Sequence, residues 1–133
     1  MFTISKGSYV PALSFATTPA TNPVVAAVGS YTRIGKTVHF YAKLTQTTEG
    51  ANAAGHITIS LPSVPSSNFR AHICGNTVGV AAQAGSVAIL VKHASGKLCK
   101  LYDMVEAGTQ TALTHAAITD GSVIEIEGTY EEL

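Results

Sequence analysis

Charge is scarce in this sequence. Eight basic and eight acidic residues form 12% of the chain and cancel to a formal net charge of zero, against the roughly 25% charged residues usual in soluble domains. No basic patch is expected on that balance, so nucleic acid and anionic membranes are poor partners. Long apolar runs are also missing. Stretches such as residues 24–28 and 87–91 fall far short of the ~20 residues of a spanning helix, so membrane insertion is not expected. The opening MFTISKGSYVPALSF lacks the continuous apolar core behind a basic start that a signal peptide needs. Cysteine is limited to Cys74 and Cys99, with no CxxC pair. A disulfide in an oxidising compartment and two free thiols acting as small core residues both stay open.

Catalytic and metal-binding patterns are absent as well. His39, His56, His72, His93 and His115 form no HxH, HxxxH or HExxH spacing, so no metal site is expected. Carboxylates are few and late. Glu125 and Glu127 share one strand face, but two adjacent outward acids near a terminus read as a solvated face rather than a glycosidase pair. No GxSxG elbow, phosphate loop or dinucleotide fingerprint occurs. The expectation is a protein that is not an enzyme and takes no cofactor.

What the sequence does contain is the punctuation of short strands. Glycines and prolines are spread throughout, with β-branched residues clustered between them. The 133 residues fit one domain, expected over 1–133 with an irregular segment at 1–23 and a core at 24–133. In that first segment Pro11, Pro19 and Pro23 deny ladder donors, and one short strand is placed over residues 9–15. The clearest local signal is a hairpin turning at Gly35-Lys36. On its second arm Val38, Phe40, Ala42 and Leu44 point one way, and His39, Tyr41, Lys43 and Thr45 the other. Glycine at the first turn position permits the positive φ of a type II′ hairpin.

Residues 46–56 read as a flexible polar loop and 57–61 as a strand ended by Pro62. Residues 62–68 read as a second loop. Strands are expected over 69–80, 86–93 and 97–104, the last two joined by a turn at Ser95-Gly96. Residues 112–117 fit a helix, a turn or a strand. Ile124 and Ile126 face inward on a closing strand whose Glu125 and Glu127 face out. The fold class is therefore all-β, an antiparallel β-sandwich (jelly-roll-like) of about seven to nine short strands.

The segment Gly29-Ser30-Tyr31-Thr32-Arg33-Ile34-Gly35-Lys36-Thr37-Val38-His39-Phe40 resembles a G-x-Y-x-x-x-G-x-x-V-x-F signature of C-terminal domains in bacteriophage tail fibres and tailspikes. Three companions follow the same order along the chain. They are Gly7-Ser8-Tyr9-Val10-Pro11, the strand Ile57-Thr58-Ile59-Ser60-Leu61-Pro62, and Ile126-Glu127-Gly128-Thr129-Tyr130. The first departs from the family pattern, which commonly carries Trp where Tyr9 stands. The resemblance implies a virion β-sandwich that forms a homotrimer, and either grips bacterial surface polysaccharide or locks the fibre as a structural piece such as a trimerisation cap or capsid decoration. A carbohydrate-binding accessory module of a larger enzyme is a further alternative. Gly29 and Gly35 would then supply backbone freedom, and Val38 and Phe40 core. Tyr31 and Arg33 would be packed, at a subunit contact, or touching ligand. Tyr41, on the polar face of its strand, is the candidate sugar platform, and loops 46–56 and 62–68 are the candidate binding loops.

Overall fold

The computed structural model describes residues 3–17, 24–48, 54–66, 72–78, 86–106, 108, 110–114 and 121–133. Side-chain alternation decides which of these pair and which face they bury. In β4 (Thr37–Thr48) Val38, Phe40, Ala42 and Leu44 are buried, and His39, Tyr41 and Lys43 are exposed, as period two demands of a half-buried strand. Its partner β3 (Val24–Ile34) runs antiparallel to it, from Val24 opposite Thr48 to Ile34 opposite Thr37. Gly35 turns this hairpin at φ +60, a value that the primed hairpin turns require and that a side chain would resist.

The other strands are β1 (Ile4–Tyr9), β2 (Leu13–Thr17), β5 (Ala54–Ser60), β6 (His72–Val78), β7 (Ser86–Ser95), β8 (Leu98–Val105), β9 (Gln110–Ala112) and β10 (Val123–Glu131). They hydrogen-bond in the order β1-β3-β4-β10-β6-β7-β8-β5-β2, with the short β9 added beside β8. Every pairing among the described residues is antiparallel. β1 and β2 are consecutive in sequence yet lie at opposite ends of this order. The corner between them therefore joins the two ends of a folded-over sheet: Ser60 N–H donates to the Ala12 carbonyl at 3.0 Å, and Tyr9 donates its hydroxyl to the Ser60 carbonyl at 3.3 Å. The result is an all-β antiparallel sandwich. Its core joins Leu44, Ile126 and Tyr130 from one half to Ile57, Ile59, Cys99 and Leu101 from the other.

Several local expectations shift. The N-terminal segment carries two strands, and residues 10–12 of the expected strand over 9–15 are the break between them. Pro11 supplies no donor, and the chain must change sheet layers there. The loop expected at 46–56 is shorter, because β4 continues to Thr48 and β5 begins at Ala54, leaving 49–53 outside the described residues. Gln46 keeps the inward parity of β4 and is buried. The second tight turn sits at Gly96-Lys97, one residue later than expected, with Gly96 at φ +51. Of 69–80, β6 occupies 72–78, while 69–71 and 79–80 lie outside the described residues. Residues 110–112 are strand, Thr114 bridges to His56, and 115–117 lie outside the described residues.

One packing device recurs on the inner face. Register places Gly7 opposite Tyr31 and Tyr9 opposite Gly29, so the two Gly-Ser-Tyr triplets interlock head to tail. A Cβ at Gly7 would come within 2.5 Å of the Tyr31 hydroxyl, and one at Gly29 within 2.6 Å of the Tyr9 ring. Each ring thus covers the partner strand's glycine, replacing the side chain that the glycine lacks. The third Gly-x-Tyr also sets its glycine opposite an aromatic residue, Gly128 opposite Phe40 in register. The Phe40 ring meets Tyr130 edge-on, at 5.8 Å between centroids and 61° between planes, a favoured aromatic geometry.

Candidate functional site

The opposite face of the same strands is open. β1 contributes Lys6, β3 contributes Ser30 and Thr32, β4 contributes His39 and Tyr41, and β10 contributes Glu125, Glu127 and Thr129. Strand parity turns all of these away from the core. Two shallow grooves cross this face. One, about 400 Å³, is lined by Lys6, Ser30, Thr32, His39 and Tyr41, together with Gly7, Tyr31 and Phe40. The other, about 340 Å³, is lined by His39, Glu127 and Thr129.

Cross-strand hydrogen bonds fix the two rings of this surface. Thr129 Oγ1 and His39 Nδ1 lie 2.9 Å apart. The Tyr41 hydroxyl donates to Glu125 Oε2 at 3.3 Å. Local desolvation, then Glu125 as charge and acceptor, then the charge of Glu127 raise the Tyr41 phenol above its ordinary pKa, which keeps it a neutral donor. Register sets Lys43 opposite Glu125. Apolar side chains interrupt the polar ones: Ile4 lies opposite Ile34, and Val28 is 65% exposed. A ring, hydroxyls, an imidazole and an ammonium group thus stand together on one shallow surface.

The three residues singled out from the sequence separate across the sheet. Tyr41 is on the open face. Tyr31 and Arg33 lie together on the inner one, where the Arg33 guanidinium sits 5.4 Å from the centre of the Tyr31 ring. Arg33 Nε is 2.9 Å from Glu132 Oε1, an ion pair whose N–H is not aligned for a hydrogen bond. Tyr31 and Arg33 are both half-buried, and the Arg33–Glu132 pair ties the hairpin to the chain end that follows β10. Of the two candidate loops, 49–53 and 67–68 lie outside the described residues. Residues 62–66 are bound to the chain end: Ser66 N–H donates to the Glu131 carbonyl at 2.7 Å, and Leu133 N–H to the Val64 carbonyl at 2.8 Å. Sequence reasoning missed Lys6, Ser30, Thr32 and Thr129 as neighbours of Tyr41. Parity gives each its face, but only the register of β1 on β3 and of β10 on β4 brings them together. Among the described residues no group of three or more His, Cys, Asp or Glu side chains is placed to hold a metal.

No family model matches the sequence, and no curated protein matches it. Among solved structures, the crystal structure of the Dettilon tailspike protein shares the fold. It aligns with a TM-score of 0.77 and 11% identity over 96% of this chain. The alignment covers 24% of the tailspike, so this chain spans about a quarter of that protein's length.

Proposed function

We propose that this chain is a non-catalytic domain of a phage tail fibre or tailspike, which assembles as a homotrimer in the virion and holds bacterial surface polysaccharide on its open sheet face. The observation that carries the reading is the fold likeness to a tailspike over 96% of the chain, which involves only 24% of the tailspike. The four signature segments support it independently, since they fall on β1, the β3–β4 hairpin, β5 and β10 in order. The low charge content of the chain and the exposed Val10 and Leu133, which lie outside the strands of the open face, support assembly, because apolar surface of this kind favours burial against another subunit. Tyr41, exposed and held by Glu125, supports sugar contact.

Light scattering combined with a glycan array and adsorption to host bacteria tests the reading. The expected result is a trimer that binds cells and a defined glycan. A monomer of 13.7 kDa at micromolar concentration overturns the virion assembly. A trimer that binds neither glycan nor cells removes the recognition role and leaves a structural subunit, the reading that the exposed Ile4, Val28 and Ile34 of the open face favour if a second copy covers it.

A further inference from the structure

Charge divides the two grooves of the open face. The groove beneath Tyr41 has an ammonium group, Lys6, and no carboxylate in its lining. The neighbouring groove has a carboxylate, Glu127, and no lysine or arginine. His39 belongs to both, and its ring is braced by Thr129 at 2.9 Å. Glu125, which accepts from the Tyr41 hydroxyl, stands opposite Lys43 in register, and Glu127 stands opposite Tyr41 itself, where its charge acts on the phenol.

A carboxylate is therefore drawn to the Lys6 side of the first groove, the side away from Glu125 and Glu127, and repelled from the second. Tyr41 offers a ring face for the C–H side of a pyranose, and Ser30 and Thr32 offer hydroxyls that both donate and accept. We infer that the Lys6–Tyr41 groove is a subsite for a uronic-acid-type residue and the Glu127–Thr129 groove a subsite for a neutral one, so that the preferred ligand alternates acidic and neutral sugars. The inference rests on the glycan-binding reading above and names the sugar class that reading leaves open. An exposed ammonium–carboxylate pair contributes little affinity. Its effect is selection between charged and uncharged sugars, and orientation of the chain across the sheet.

Amide NMR titration of the isotope-labelled protein tests this with three probes. They are a hyaluronan hexasaccharide, whose residues alternate acidic and neutral, its carboxyl-reduced counterpart, and tetragalacturonic acid, in which every residue is acidic. The expected result is saturable perturbation at residues 6, 30, 32, 39 and 41 by hyaluronan. Binding should be roughly three- to five-fold weaker for the reduced form, and weaker again for tetragalacturonic acid. Lys6→Gln should erase the difference between hyaluronan and its reduced form, Lys6→Arg should retain it, and Tyr41→Ala should remove the perturbations while the rest of the spectrum is unchanged.

Equal binding of hyaluronan and its reduced form overturns the assignment. So do perturbations centred elsewhere, no response to either acidic oligomer, or probe-independent broadening of these residues with protein concentration, which would mean that another copy covers the face. Host-cell adsorption separates this inference from the one beneath it. Adsorption that survives Lys6→Gln and Tyr41→Ala leaves glycan recognition standing and sinks the subsite. Wild-type protein that adsorbs to no host cell sinks the broader reading and this one with it.

Discussion

The two faces of β4 differ in almost every respect, although they are built from alternate residues of one strand. On the inner face Val38 and Ala42 are 0% exposed, and glycine is opposed by aromatic rings from neighbouring strands. On the outer face His39 and Tyr41 are exposed and touch their neighbours through single hydrogen bonds. The core contacts and the proposed recognition surface thus occupy even and odd positions of the same segment. Substitutions on the inner face should change stability, and those on the outer face should change binding while leaving stability almost untouched.

The strongest way to break this contrast is Tyr130→Ala. The side chain is fully buried, and its hydroxyl lies 2.9 Å from both the amide and the Oγ of Ser63. Denaturant unfolding should show a loss of about 3–5 kcal/mol. Tyr130→Phe should cost about 1–3 kcal/mol, because it leaves the Ser63 amide without its acceptor.

Alkaline titration comes next. Burial pushes the Cys99 thiol up to about 12, and the thiol donates to the Ile59 carbonyl at 3.2 Å. Well below pH 9, under about pH 7.5, the thiol is neutral in both states. As pH rises from 9 toward 12 the unfolded chain releases its proton and the folded one does not, so stability falls by up to about 1.4 kcal/mol per pH unit. Desolvation raises Tyr9 and Tyr130 in the same direction, steepening the loss above their ordinary range. Cys99→Ala should flatten the slope between pH 9 and 10, and a slope unchanged by it would refute the assignment.

The glycine pairs sharpen the comparison within the inner face. Gly29→Ala drives a Cβ to 2.8 Å from the Tyr9 carbonyl oxygen as well as into its ring, whereas Gly7→Ala meets only the far end of Tyr31. Gly29→Ala should therefore cost about 2–3 kcal/mol, and Gly7→Ala about 1 kcal/mol. Equal costs in chemical denaturation would show that the backbone contact is not limiting. The smallest effect is expected on the outer face, where Tyr41→Ala should shift the thermal midpoint by no more than about 2 °C. A larger shift would mean that the open face contributes to the fold.

The hairpin and the burial of Val38, Phe40, Ala42 and Leu44 were legible because period-two alternation and a turn glycine are local properties. The closing strand was legible for the same reason, with Ile124 and Ile126 buried. Gln46 was not. Its polar side chain among threonines reads as loop, yet it continues the inward parity of β4, and among the described residues nothing hydrogen-bonds its carboxamide. The N-terminal strands were blurred because Pro11 marks a corner between layers, and the partners that order β1 and β2 lie in β3 and β5.

By itself the sequence determined the all-β class, the parity of each strong strand and the position of its main turn, since each depends on residues within a few positions of one another. Only the tertiary structure decided that the Gly-Ser-Tyr triplets of β1 and β3 cover each other's glycines, that Tyr31 and Arg33 pack inward, and that Lys6 joins Tyr41 across a shared groove. Those outcomes depend on register, and register is set by which distant strands pair once the apolar faces are buried together.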